Sequence, residues 1–175
     1  MLFFWCIMAL LLLQRLSELF LAARNARIIR SLGGYEIGAG HYLCLVVLHV
    51  LFFASLIVEV TTATAPYSLP SGWLAYFAVF LLVQCLRYWC IWSLGIHWNT
   101  RILILPGSLP VRRGPYRFMR HPNYLVVAVE LFALPMTFGA SLTAISFTLL
   151  NAWLLLRIRI PLEEQAVYAQ KEQLP

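Results

Sequence analysis

The chain has 175 residues, of which 62% are hydrophobic and 11% charged, and its mean hydropathy is +0.80. A soluble domain is about half apolar, so this balance excludes one and predicts an integral membrane protein. The net charge of +6 does not indicate a nucleic-acid binder: apart from Arg15 and Arg87, every basic residue lies within 24–30, 101–120 or 157–171, as the positive-inside rule arranges cytoplasmic loops.

The first apolar run, Met1 to Ala23, is long enough to cross a bilayer core of about 30 Å. It lacks the basic start of a signal peptide and is read as a retained span. A basic, glycine-punctuated loop, "RNARIIRSLGGYEIG", is expected next. Further spans are predicted at His41 to Val60 and, after an uncharged turn with two prolines ("TTATAPYSLPSG"), at Trp73 to Leu94. Gly95 to His121 is the longest polar stretch, with a short apolar "RILIL" that suits an extended segment. Residues 124–157 then form an apolar run of 34 residues. As one helix it would measure about 50 Å, so Pro135 and Gly139 are read as dividing it into a tight hairpin, 124–135 and 140–159. The tail from Ile160 is polar.

The expected fold is therefore an all-α membrane protein of about five transmembrane helices forming a single domain over 1–175. Residues 1–94 supply three spans and 95–175 a polar loop, the helical hairpin and the tail. The N-terminus lies outside; the polar loops, the tail and a cofactor pocket face the cytoplasm, in bacteria at the plasma membrane. Cys6, Cys44, Cys85 and Cys90 form no CxxC pair and sit in apolar runs, so they read as small hydrophobes rather than as a disulfide, metal site or nucleophile. No metal-ligand cluster is visible.

The polar chemistry concentrates in "RRGPYRFMRHPNY", 112–124. Gly114-Pro115 makes a turn, and Pro122 suits the first position of a helix. The helix start near Asn123 and Tyr124 offers N–H groups to an anion, beside Arg117, Arg120 and His121. Tyr116 and Tyr124 offer aromatic faces to a cation. One small region could thus hold both charges of S-adenosylmethionine, a carboxylate and a sulfonium. The plainer alternative is that these arginines only anchor the helix end to anionic headgroups.

"RIRIPLEE", 157–164, offers a second polar cluster. Glu163 and Glu164 suit the first turn of a helix begun at Pro161, or else contact cofactor ribose hydroxyls or an ammonium group, with Arg159 holding an acidic acceptor. Within the spans, Arg15 and Glu18 are read as a local ion pair. Arg87 and Glu130 are read as a structural pair or as pocket lining. Glu59 is placed at the outer interface, His41 and His49 in packing or interhelical hydrogen bonds, and His97 and Trp98 in the inner interfacial belt.

On these residues the chain resembles the isoprenylcysteine carboxyl methyltransferase family. The resemblance rests on Gly114-Pro115-Tyr116, then Arg120-His121-Pro122-Asn123-Tyr124, then Arg159 through Glu163-Glu164, in order and spacing over about 95–165. It is nearest to a bacterial branch linked to type III polyketide synthases that methylates alkylpyrones, which is also similar in "QRLSELFLAARN", "GYEIGAGHY" and "HWNTRILILPG". The chain departs from the family at Leu125, where many members carry glycine, and in a tail that ends soon after the Glu pair.

The resemblance implies S-adenosylmethionine as donor, bound by Gly114, Tyr116, His121, Pro122, Tyr124, Glu163 and Glu164. It also implies a gap between spans for a lipid tail, a lipophilic or prenylated acceptor, membrane lipids as surroundings, and no nucleic acid; oligomeric state stays open. A carboxylate or hydroxypyrone acceptor is already ionised and needs no strong base, so Arg159 and Arg120 are cast as its electrostatic positioners. Two alternatives share parts of the pattern: a phospholipid N-methyltransferase, and an NADPH-dependent sterol or enone reductase, some of which also carry Arg-His-Pro-Asn-Tyr.

Overall fold

A computed structural model describes residues 1–63 and 68–169; the side chains of His41 and of 167–169 lie outside it, as do residues 64–67 of the "TTATAPYSLPSG" turn. In chain order the elements are α1 (Leu2–Ser31), β1 (Tyr35–Ile37), α2 (Ala39–Thr62), α3 (Trp73–Leu94), a 3₁₀ turn (Gly95–His97), β2 (Ile102–Ile104), a second 3₁₀ turn (Gly114–Arg117), α4 (Pro122–Thr137), α5 (Ser141–Leu154), a π-helical turn (Leu155–Arg159) and α6 (Ile160–Ala169). Four helical segments, Leu2–Ser31, Tyr42–Thr62, Trp73–His97 and Ser141–Ala166, are long and apolar enough to cross a membrane, while α4 is shorter. Its 16 residues span about 24 Å.

The five apolar helices alternate in direction, as contacts at their ends show. At one end of the bundle Phe3 meets Trp73 and Phe77 at ring separations of 5.7 and 5.3 Å, and Phe4 meets Phe138 at 5.0 Å, joining the starts of α1 and α3 to the end of α4. At the other end Asn25 of α1 donates to the Gly95 and Trp98 carbonyls beyond α3, 3.1 and 2.8 Å away. The core runs between these ends through Phe4, Met8, Leu11, Leu48, Phe52, Leu56, Phe80, Leu131 and Leu134. Outward faces stay apolar, with Leu2 at 79% and Trp92 at 86% exposure, which fits surroundings of lipid tails rather than water.

Three sequence expectations change in detail. The basic stretch after Ala23 is not a loop: α1 continues to Ser31, because Arg24, Arg27 and Arg30 are good helix formers and a helix of about 45 Å simply outruns the bilayer. Pro135 does not end α4, which runs on to Thr137; Gly139, at φ 79°, makes the reversal. Glu59 is not merely interfacial. Its carboxylate accepts from the Leu142 and Thr143 N–H groups at 3.0 and 2.8 Å and from the Thr143 hydroxyl at 2.6 Å, capping the orphan donors at the start of α5.

The intramembrane charges form one circuit rather than two separate pairs. Arg15 pairs with Glu18 at 2.6 Å and with Glu130; Arg87 pairs with Glu130 and, at 3.4 Å, with Glu18. Two arginines and two glutamates cancel, and Gln14 extends the circuit to Glu18 and Gln84 at 3.0 and 2.9 Å. The ring ties α1, α3 and α4 together. Full mutual compensation is the condition on which charges persist away from water. The alternative of pocket lining does not hold, since neither Arg87 nor Glu130 borders the cavity at the polar end of the bundle.

Candidate active site

At the end of the bundle where α1 and α3 finish and α4 begins, the chain folds back over itself. β1 pairs antiparallel with β2, Tyr35 opposite Ile104 and Ile37 opposite Ile102. Gly34 is required just before β1, where a Cβ would come within 2.8 Å of the Ile29 and Ile104 carbonyl oxygens. Beside the sheet Glu36 accepts from Arg30 at 2.8 Å and Arg101 at 2.6 Å. Burial alone would raise the Glu36 pKa, but the two guanidiniums, Arg101 foremost, outweigh it and hold the carboxyl below its usual range. Arg101 also lies over the Tyr42 ring, 4.2 Å from its centre, a cation–π contact.

The Gly114 turn packs directly on α3. At φ +56° a side chain there is strained, and a Cβ would fall on the Ser93 hydroxyl and lie 3.0 Å from Trp89 Nε1; glycine meets both conditions. Arg113 secures the turn by donating from Nε to the Ser93 carbonyl at 2.5 Å. Tyr116 is thereby held against buried Cys90, and burial first, then that thiol, push its phenol pKa upward. It remains a neutral hydrogen-bonding group.

The two polar clusters of the sequence meet here. The Tyr124 hydroxyl donates to the Glu163 carboxylate and accepts from Arg159 Nε at 3.0 Å. Arg159, buried at 5% exposure, also donates to the Thr100 carbonyl at 2.9 Å. Glu164 lies 3.2 Å from Arg120 and 3.3 Å from His121 Nε2, and the His121 ring stacks on Tyr124 with centres 5.3 Å apart. The α4 start does attract negative charge, but from the chain itself: Glu163 and Glu164 stand beside it, and the Tyr124 N–H is turned to the His121 carbonyl at 3.1 Å. The π turn positions the pair. Pro161 cannot donate to the Arg157 carbonyl and would clash with it in regular α geometry, so the helix widens by one residue over 155–159 and α6 starts with Glu163 in its first turn.

These groups border a cavity of about 550 Å³, within the range of roughly 300–1,000 Å³ usual for small-molecule sites. Of the residues singled out from sequence, Tyr116, Arg120, His121, Tyr124, Arg159, Glu163 and Glu164 line it, while Gly114 and Pro122 do not. Gly114 stands behind the wall on α3, and Pro122 is buried at the first position of α4; both shape the site without facing it. The sequence reading missed Trp98 and Asn123 as lining residues, together with the strand Ile102–Ile104. The short apolar "RILIL" suited an extended segment, though nothing local tied it to this cavity.

Apolar helices enclosing a charged, small-molecule-sized cavity at one end define a membrane-embedded protein with its polar chemistry at the membrane face. Residues 74–169, more than half of the chain, match the model of the isoprenylcysteine carboxyl methyltransferase (ICMT) family. The chain belongs to that family and is an integral membrane methyltransferase. It is 42% identical over 164 residues, 94% of this chain and 96% of the relative, to "Uncharacterized protein YpbQ" of Bacillus subtilis (strain 168). It is 27% identical over 165 residues, 94% of this chain and 92% of the relative, to an "Uncharacterized protein" of Haemophilus influenzae (strain ATCC 51907 / DSM 11121 / KW20 / Rd). No solved structure matches the chain.

Proposed function

We propose that this protein is an S-adenosylmethionine-dependent O-methyltransferase acting on an ionised oxygen, a carboxylate or a hydroxypyrone, of a lipophilic acceptor such as an alkylpyrone. The observation that carries the reading is the union of the two motif blocks through Tyr124 and Glu163 on one cavity. The residues present fit the donor. The cavity has the volume for a nucleoside, and a carboxylate pair stands ready for hydroxyls or an ammonium group. Bound there, the donor supplies an electrophilic methyl carbon on a sulfonium.

The chain's own groups divide the remaining work. Tyr124, fixed between Glu163 and Arg159, holds the acidic turn against α4 and so keeps the wall rigid; placement of the reactants within such a wall is the main source of rate in a displacement of this kind. Arg101, Arg112, Arg117, Arg120 and Arg159 line the cavity against two glutamates. That excess of positive charge favours an anionic oxygen and disfavours the amine of a phospholipid headgroup. An ionised acceptor needs no proton removed, so Glu163 and Glu164 serve in binding. Arg120, at the open side, steers the acceptor electrostatically, and Arg159 adds its charge to the wall while positioning Tyr124. With the arginine-rich end facing the cytoplasm, the arrangement follows the positive-inside rule.

Two measurements test this. Calorimetry with S-adenosylhomocysteine on the purified protein in detergent should show saturable binding, weakened about tenfold or more in Tyr124→Phe and in Glu163→Gln. Mass spectrometry of lipids extracted after incubation with isotopically labelled donor should find label on an oxygen of an acidic, long-chain product. Absence of binding to the wild-type protein, or label on a nitrogen, overturns the reading.

A further inference from the structure

Part of the positive charge around the cavity has no counterpart in the chain. Arg101 pairs with Glu36 at 2.6 Å and Arg120 with Glu164 at 3.2 Å, while Arg159 is committed to Tyr124 and the Thr100 carbonyl. Arg112 and Arg117 line the same cavity and are exposed. Among the described residues neither forms an ion pair. Arg117 instead lies over the Phe118 ring, 5.3 Å from its centre, a cation–π contact that keeps a charge and an apolar face side by side.

The rim next to these arginines is apolar and uncovered. Phe118 is 76% exposed, Leu109 67% and Met119 42%, and all three line the cavity. Apolar side chains exposed on the spans face lipid tails, but these three lie between His97 and Pro122, outside the apolar helices. The 3₁₀ turn holds two of them in place: the Phe118 and Met119 N–H groups both donate to the carbonyl of buried Pro115, at 3.1 and 3.3 Å. The cavity, moreover, does not continue between the spans. It takes no lining residue from α1, α2 or α5, and from α3 and α4 only Leu94, Asn123 and Tyr124, at their ends. A hydrocarbon chain attached to a headgroup inside it therefore leaves over the loop.

We propose that Arg117 and Phe118, with Leu109 and Met119, form the docking rim for the acceptor, a single-chain anionic amphiphile. Arg112 and Arg117 attract its negative headgroup. The apolar side chains take the start of its chain, which crosses residues 105–119 instead of passing between helices. This rests on the acceptor reading above and adds to it the route of the chain and the residues that select for one. Both halves of the rim are satisfied only by an amphiphile. A small anion leaves the apolar surface wet, and a neutral alcohol leaves two guanidiniums without a counter-charge. The membrane face is a poorer match, because these side chains border a concavity of about 550 Å³ that a flat surface does not fill.

The test is photolabelling of the full-length protein in phosphatidylcholine nanodiscs. The probe is hexadecanoate bearing a diazirine on its chain close to the carboxylate, and the control is the matching hexadecanol. Labelled residues are mapped by mass spectrometry, with and without excess plain hexadecanoate. The carboxylate should label 105–119 in a way the competitor suppresses, and the alcohol should label that stretch about fivefold less. Leu109→Ser combined with Phe118→Ser should reduce the competed labelling about tenfold, and Arg117→Gln about threefold. These side chains are exposed, so the variants should melt within about 2 °C of wild type; the comparison of acid with alcohol needs no variant. Competed labelling confined to α1, α2 or α5, or none anywhere on the protein, overturns the docking rim and leaves the acceptor reading intact. So does labelling of 105–119 that is equal for acid and alcohol and untouched by competitor, which marks a loop lying in lipid. Methyl label found on a nitrogen of the reaction product overturns the acceptor reading itself, and this assignment with it.

Discussion

Neutralising Glu130 without changing its shape, by Glu130→Gln, breaks the intramembrane circuit where both arginines meet one carboxylate. Glu130 is 5% exposed and accepts from both Arg15 and Arg87. The substitution leaves two positive charges facing one negative. Arg87, itself 2% exposed, then retains only Glu18 at 3.4 Å, a long contact for a charge with no water to turn to. Removing one partner of a buried pair costs about 3–5 kcal/mol. In a chain of this size 1 kcal/mol corresponds to about 2–4 °C of melting temperature, so the expected fall is roughly 6–20 °C. Tryptophan fluorescence during heating of the purified protein in detergent reads it directly, since the chain carries six tryptophans. Glu130→Gln combined with Arg87→Met restores neutrality, leaving Arg15 with Glu18 at 2.6 Å, and should recover at least half of the loss. A single variant melting within 2 °C of wild type, or a double variant in which the losses add, would refute the description of these four residues as one compensated unit.

Arg159→Met removes the bonds to Tyr124 and Thr100 while keeping much of the packing. S-adenosylhomocysteine affinity and turnover should fall together by about tenfold; a fall in turnover alone would move Arg159 from holding Tyr124 to contacting the acceptor. Gly114→Ala forces a left-handed conformation on a side chain that collides with Ser93, and each effect costs on the order of 1–3 kcal/mol. Its melting temperature should drop by several degrees and partly return when Ser93→Gly makes room. Glu36, with its folded pKa held below the usual 4.5, stabilises the protein above that value and loses its contribution as pH falls through the lowered one. The melting temperature of wild type should exceed that of Glu36→Gln at pH 7, the underlying stability difference being limited to about 1 kcal/mol for so open a pair. That gap should close as the pH falls through and below the usual carboxylate range, as melts taken across the range would record; a gap independent of pH would contradict the ion pairing.

Much of this architecture is legible in the residue order, for identifiable reasons. Apolar runs bounded by Gly and Pro announce the helices, and the dense polar segments around Gly114, His121 and Glu163 announce the site, because in so apolar a chain each charge stands out. What escaped reading depends on interhelical register. Arg15–Glu18 and Arg87–Glu130 are each plausible as pairs from spacing and depth, but their fusion requires knowing that α1 and α4 face one another across α3. Glu59 could be placed at an interface without any indication that α5 begins beside it. The helical character of 24–31 was missed because polarity marks where a helix leaves the bilayer, not where it stops. Trp98 passes for an ordinary interfacial tryptophan, and Asn123 for a variable position between Pro122 and Tyr124, until the fold sets both beside the cavity.

The widened turn at 155–159 also sets the angular phase of everything downstream of it. A residue's worth of extra helix rotates α6 by about 100°, so the direction in which the acidic turn points is decided one and a half turns earlier, inside a stretch that bears no acid. Shortening that stretch by one residue would leave helix content, hydropathy and motif spelling nearly unaltered, yet swing the carboxylates away from the aromatic ring they meet. In this protein the length of a segment, as much as its composition, is what brings the two halves of the site face to face.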